Sequence, residues 1–87
     1  MEHIIVNFQP FVAKQHIMVY KDGVCIEQQY VEYDEVIKYV VMLSNKHNIK
    51  NIDLCGNTNF LLNWKNELQH NTNFTSSKEL SITIINK

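Results

Sequence analysis

The sequence predicts an α/β fold, one five-stranded mixed sheet with two helices in the order βββαβαβ. Three observations carry that prediction. Apolar and polar residues alternate in three segments before Val31, and the apolar period lengthens from two to about 3.6 around Tyr33. Two short apolar runs, Ile52–Leu54 and Leu80–Ile84, then each follow a helical stretch. With 87 residues, 45% hydrophobic and 20% charged, the chain is expected to form a single domain, 1–87. That is close to the lower size limit for burying a core unaided.

The first strand, His3 to Phe8, places Ile4, Val6 and Phe8 on one face and His3, Ile5 and Asn7 on the other. Gln9-Pro10 ends it, because proline has no N–H to give a ladder. A second strand runs from about Gln15 to Lys21 with Ile17 and Val19 inward. Asp22-Gly23 then predicts a type I′ turn, whose two central residues take positive φ. The third strand, Val24 to about Val31, is expected to turn Val24 and Ile26 inward. From Asp34 to about Lys46, the residues Val36, Ile37, Val40, Val41 and Leu43 form an apolar helical stripe. Asp34 and Glu35 suit the positive end of its dipole and Lys46 and His47 the negative end, with Asn48 as the expected stop. Ile52-Asp53-Leu54 is a short strand closed by Gly56. A second helix, about Asn59 to Gln69, gathers Phe60, Leu61, Trp64 and Leu68 on one face and leaves Leu62 pointing away. A polar loop over residues 70–78 leads to the last strand, Leu80 to Ile84.

The turn at Asp22-Gly23 pairs Lys21 with Val24, so Tyr20 is expected opposite Cys25 and Val19 opposite Ile26. A first hairpin closing around residues 9–14 pairs Val6 with Ile17 and Ile5 with Met18. Both registers keep the same residues on the same face. A helix between parallel strands crosses over right-handedly in about 98% of cases. Both helices therefore fall on one face, and the sheet order becomes 3-2-1-4-5. The covered set is Ile4, Val6, Ile17, Val19, Ile26, Ile52, Leu54, Leu80, Ile82 and Ile84.

This arrangement is the core of a ribonuclease H-like sheet. Full domains of that kind carry a further helix over the opposite face, and these 87 residues leave none to form it. The open face is expected to display His3, Ile5, Asn7, His16, Met18, Tyr20, Cys25, Glu27, Gln29, Asp53, Ser81, Thr83 and Ile85. Ile5, Met18, Tyr20 and Ile85 make it a mixed surface. It suits self-association or a partner protein, and reads equally as a solvated face with scattered apolar residues.

Net charge is −1 and every basic residue is a lysine. Without the planar fork of arginine or a basic excess, the composition argues against direct nucleic-acid binding. No apolar run approaches the roughly 20 residues of a membrane span. The opening Met1-Glu2-His3 lacks the basic start of a signal peptide, so a cytoplasmic location is expected. Cys25 and Cys55 fall with two strands between them, on the order of 14 Å apart. A disulfide needs Cα atoms within about 7 Å, so both are expected to remain thiols.

Ribonuclease H-like enzymes carry a metal-binding aspartate at the end of the first strand, where this chain reads Val6-Asn7-Phe8. Asp53 lies within its strand without an acidic partner, Asp34 and Glu35 open a helix, and Glu79 starts an edge strand. A two-metal site needs several converging carboxylates, so no catalytic residue, metal or cofactor is expected. His3 and His16 share a face but stand far apart on the diagonal, and zinc would need further ligands. A nucleophilic Cys55 served by His3 or His16 lacks any surrounding motif. Ligands of open sheets bind beyond the carboxyl ends of the strands. That crevice would be lined here by Asn7, Gln9, Gly56, Asn57 and Thr58, beside Cys55. Gly56-Asn57-Thr58 can be read as an anion cradle at a helix start, or as a glycine turn with an ordinary capping residue. The second reading asks for less. Trp64 at helical spacing reads as core, while Tyr30 and Tyr33 at the strand-to-helix corner suit either packing or an interface anchor.

Three stretches carry a resemblance: Ile4-Ile5-Val6-Asn7-Phe8-Gln9-Pro10-Phe11, Val19-Tyr20-Lys21-Asp22-Gly23 and Asn51-Ile52-Asp53-Leu54-Cys55-Gly56. They resemble small proteins of bacteriophages and prophages of low-GC Gram-positive bacteria, and the likeness weakens beyond Gly56. The resemblance brings no catalytic residues with it. It implies a phage setting, in the host cytoplasm, and a stoichiometric accessory role such as inhibition of a host enzyme or defence complex. The expected function is non-enzymatic binding of a protein partner, self or host, through the open sheet face or a strand edge. Ile5, His16, Met18, Tyr20 and Glu27 are the candidate contact residues, with Leu62 behind them. The alternative is an accessory to nucleic-acid metabolism that binds a nucleotide or single strand at the Asn7/Asn57 crevice.

Overall fold

The computed structural model describes residues 1–75 and 79–86. Its strands are β1 (Glu2–Asn7), β2 (Lys14–Lys21), β3 (Val24–Glu32), β4 (Asn51–Gly56) and β5 (Ser81–Asn86). Helix α1 (Val36–His47) follows a short 3-10 turn at Tyr33–Glu35, and α2 (Thr58–Gln69) joins β4 to β5. The sheet order is β3-β2-β1-β4-β5, antiparallel in the first three strands and parallel from β1 to β5. This is the expected α/β order with two helices. Part of the polar loop expected over 70–78, residues 76–78, lies outside the described residues.

The local signals act as their chemistry requires. Asp22 and Gly23 both take positive φ, 52° and 80°, which closes the β2–β3 hairpin as a primed turn. Asn48 sits in the left-handed region (φ 55°, ψ 47°) and ends α1, its N–H donating to the Ser44 carbonyl. Asp34 and Glu35 lie in the 3-10 turn ahead of α1 rather than in its first turn, while Lys46 and His47 occupy the last turn as expected.

One face of the sheet and both helices share a single core. Ile4, Val6, Ile17, Val19, Ile52 and Leu54 from the strands meet Val36, Val40 and Leu43 of α1 and Leu61, Trp64 and Leu68 of α2, all buried. Leu80, Ile82 and Ile84 pack against this cluster from the β5 side. Phe74, in the loop after α2, is buried with them. Asn45 holds that loop to α1: its Nδ2 donates to the Asn73 carbonyl, and its Oδ1 accepts from the Thr75 N–H and hydroxyl. Cys25 is exposed, Cys55 is buried, and both are thiols.

The β1–β2 register is the expected one, with Val6 opposite Ile17 and Ile5 opposite Met18. In β3 the expected register holds at Lys21/Val24 and Tyr20/Cys25 and then slips by one residue. Val19 stands opposite Glu27, not Ile26. Ile26 is the extra residue of a β-bulge and is 45% exposed instead of buried, and Val24, also expected inward, is 61% exposed. A slip of one residue reverses every side chain beyond it. Glu27 and Gln29 therefore leave the open face for the helix side, and Gln28 and Tyr30 replace them.

Candidate functional site

The expected crevice exists. Asn7, Gln9, Gly56 and Asn57 line a cleft of about 580 Å³ together with Phe8, Pro10, Lys14, His16, Tyr30 and Cys55. Thr58 is not part of its lining. The cleft forms because β1 and β4 end side by side, with the Phe8 N–H donating to the Cys55 carbonyl at 2.8 Å. Gly56 takes a φ of +146°, and a Cβ there would sit 3.1 Å from both Cβ and O of Phe8. Only glycine allows the two strand ends to approach this closely.

The start of α2 resolves the two readings of Gly56-Asn57-Thr58. Asn57 is the capping residue, its Oδ1 accepting from the Asn59 N–H at 3.0 Å. The Asn57 carbonyl accepts from the N–H groups of Phe60 and Leu61. The Thr58 N–H points to Asn86 Oδ1 at 3.4 Å. The first N–H groups of the helix are thus engaged inside the molecule, which removes the donors an anion would use.

Beside the cleft lies an aromatic cluster built on Phe8. Its ring meets Tyr33, Phe60 and Trp64 at centroid distances of 6.1, 5.4 and 5.4 Å. Trp64 is core, whereas Phe60 and Tyr33 remain about half exposed at 52% and 44%. The expectation that Phe60 belongs with the buried face of α2 is corrected accordingly: it packs on Phe8 at the rim. Leu62 points away, as read, and is 52% exposed.

No described helix lies over the opposite sheet face. Ile5 and Met18 stand directly opposite each other across β1 and β2, flanked by the His3/Tyr20 and Asn7/His16 pairs. His16 is held on β3 by two contacts. Its Nε2 lies 2.9 Å from Gln28 Oε1, and its ring stacks on Tyr30 with centroids 4.7 Å apart at 18°. His3 Nδ1 lies 3.0 Å from Asp53 Oδ2 across β1 and β4, so Asp53 has a basic neighbour that strand reading missed. Ile85, on β5, is 42% exposed. Four of the five expected contact residues, Ile5, His16, Met18 and Tyr20, thus share this face.

Glu27 does not. Its carboxylate reaches Lys46 Nζ at 3.1 Å and His47 Nε2 at 3.3 Å, which ties the edge strand to the end of α1. The hydrogen bond from Lys46 is the main cause holding its pKa below the ordinary 4.5; partial burial opposes this and His47 adds to it. A carboxylate with a lowered folded pKa contributes stability that is fully present above its unfolded value. That contribution disappears as pH falls through the folded one. Glu27→Gln is expected to cost about 0.2–1 kcal/mol near neutrality, the range of partly exposed ion pairs. The difference from the parent should shrink from about pH 4.5 downward. Urea melts of both proteins between pH 7 and 3 measure it, and a gap that widens in acid contradicts the assignment.

Among the described residues no group of three or more His, Cys, Asp and Glu side chains converges to hold a metal ion. No described helix is long and apolar enough to cross a membrane. No protein-family model matches the chain, and no curated protein does. Among solved structures, the chain is similar to Archaeoglobus fulgidus Pelota, whose crystal structure reveals inter-domain structural plasticity. The likeness covers 99% of this chain and 26% of the Pelota chain, at 11% identity and a TM-score of 0.61. At that identity it speaks to the fold alone.

Proposed function

We propose that the chain is a ribonuclease H-like sheet used for binding rather than catalysis, a small phage-type accessory protein. In this reading it docks a protein partner, a second copy or a host factor, on its open sheet face. The observation that supports it is the row of Ile5, Met18 and Tyr20, with the His16–Tyr30 stack beside it, on a face that no described helix covers. The apolar residues of this face lie on β1 and β2, with Ile85 on β5, and the parallel strands beside them are of a kind ordinarily covered on both faces, so a partner laid across the face gains from burial. A role as inhibitor of a host enzyme or defence complex, in the host cytoplasm, follows from the phage resemblance and belongs to the same proposal.

Met18→Glu tests the reading by placing a charge at the centre of the face without touching the core. Capture of partners from host lysate, compared for parent and Met18→Glu with identical circular dichroism, should fall at least about tenfold, as for a central interface residue. Capture unchanged by both Met18→Glu and Ile5→Glu removes the open face from consideration.

The cleft supports a second reading, a nucleotide or single strand held at Asn7 and Asn57. Lys14 and the His16–Tyr30 stack on its wall favour it. Salt-dependent retention of a labelled oligonucleotide, lost in Lys14→Glu and intact in Met18→Glu, would establish it in place of the first.

A further inference from the structure

On the helix side of the sheet, apart from the open face and the cleft, the start of α1 and the length of α2 leave a cavity of about 400 Å³ between them. Tyr33 and Asp34 line it from the turn before α1, and Asn63, Trp64, Asn66 and Glu67 line it from α2. Asn63, Asn66 and Glu67 recur at the three- and four-residue spacing of one helix face. Two carboxylates meet the cavity and no basic side chain does. Asp34 and Glu67 are both exposed, and neither has an ion-pair partner among the described residues. Lys38 and Lys65, their neighbours on the two helices, form no part of the lining. Two acids around one cavity without a counter-charge favour a cation between them. The wall beside the acids is aromatic: Tyr33 and Trp64 stand with ring centroids 5.2 Å apart at 36°. Trp64 is only 4% exposed, yet its indole N–H has no acceptor among the described residues. That nitrogen is not sealed from water, and of the cavities described this is the one that Trp64 lines. A buried, unpartnered donor therefore opens into the same space as two unpaired acids.

We infer that this cavity takes an arginine side chain from a partner polypeptide. Its occupant has to satisfy both kinds of group at once: Asp34 and Glu67 call for N–H donors, and the Trp64 N–H calls for an oxygen. An arginine within a chain brings both, several N–H donors on the guanidinium and a backbone carbonyl a few bonds away. Hydrogen bonds from a guanidinium to a carboxylate are about twice as strong as those between neutral groups. The guanidinium is also planar and weakly hydrated, so it lies on the rings of Tyr33 and Trp64 and loses little on leaving water. The compact ammonium of a lysine would use the charge alone. The side-chain amides of Asn63 and Asn66 have no partners of their own among the described residues, and can pair with peptide backbone on either side. A metal ion suits the place less well, since no third acid, histidine or cysteine converges there among the described residues. Charge excludes a nucleic acid. The chemistry of the partner is thus a basic, arginine-bearing segment, held on a surface separate from the open sheet face.

Trp64 is the sole tryptophan, so its indole gives a single side-chain signal in a nitrogen–proton correlation spectrum of the full chain. Titration with acetyl-Gly-Arg-Gly-amide is expected to move that signal saturably, with a dissociation constant of about 1 mM or tighter. The same peptide with citrulline keeps the shape and loses the charge, and should bind at least about tenfold more weakly. Asp34→Asn and Glu67→Gln should each weaken the arginine peptide by about fivefold or more. Glu67 lies on an exposed helix face, so Glu67→Gln reports even where Asp34→Asn disturbs the turn before α1. Glu35→Gln, next in sequence but outside the cavity, should bind as the parent does, and so should Met18→Glu on the open face. A Trp64 signal that stays still at about ten times the expected dissociation constant overturns the inference. So does equal movement with the citrulline peptide, or parent-like binding by Glu67→Gln. Equal weakening by Glu35→Gln overturns it as well, because overall charge and not the cavity would then be responsible.

Discussion

Gly56→Ala is expected to lower stability by about 3 kcal/mol, the sum of a backbone forced into a region alanine avoids and a methyl group forced into occupied space. The space is occupied by Phe8, whose Cβ and carbonyl oxygen would each lie 3.1 Å from the new Cβ. Phe8 cannot move aside freely. Its N–H is bonded to the Cys55 carbonyl, and its ring is fixed between Tyr33, Phe60 and Trp64. For a domain of this size the melting temperature should fall by roughly 10–25 °C. Trp64, the sole tryptophan, reports the transition from within the same cluster. Gly23→Ala is the internal control. Gly23 also has positive φ, +80°, but nothing lies within 4 Å of the position a Cβ would take. It should lose only the backbone term, about 1 kcal/mol. If the two variants melt together, the close approach of β1 and β4 is not what reserves residue 56 for glycine, and the geometry given for the cleft fails with it.

Strand order and most of the register were legible because they depend on period and on turn chemistry, both local. Ile4/Val6 and Ile17/Val19 alternate in phase, and Asp22-Gly23 sets the hairpin. The bulge in β3 was a matter of competing phases. Val24 and Ile26 share one parity and Val31 has the other, so a regular strand cannot turn all three inward. Alternation alone favoured the first two. The fold instead buries Val31 (9% exposed) opposite Gln15, beside the start of the helical segment, and leaves Ile26 outside as the extra residue. Val31 joins the core cluster there, whereas Ile26 does not. Glu27 changed faces with that choice, and its expected place on the open face failed for this reason. On the open face, Ile5, His16, Met18 and Tyr20 stood on strands with no such conflict and were placed correctly. The conformation of the loop at Phe11 was not legible, because exposure and a positive φ at one loop residue leave no periodic trace. Gln15 did leave one: it falls in phase with Ile17 and Val19, the mark of a buried polar side chain whose partners must come from elsewhere.

Those partners make Gln15 the second position where a large effect is expected. Gln15→Leu keeps the burial and removes three hydrogen bonds, leaving the Gln9 N–H and the carbonyls of Gln9 and Val12 without their side-chain partner. Each abandoned group costs about 1–3 kcal/mol where water cannot replace the bond, and less at the open side of the loop. A net loss of about 2 kcal/mol is expected, with faster amide exchange confined at first to residues 9–13. Gln15→Glu should be worse than Gln15→Leu near neutrality. A carboxylate can still accept from the Gln9 N–H, but it cannot donate, and it sets a charge against two carbonyl oxygens in a site only 1% exposed. Burial and those carbonyls raise its folded pKa above the unfolded value of about 4.3. The loss is therefore greatest at high pH and recedes as pH falls through the folded pKa, when the acid regains a donor. A glutamine that merely filled space would leave Gln15→Leu neutral or stabilising, with amide exchange over residues 9–13 unchanged, and that result contradicts the assignment.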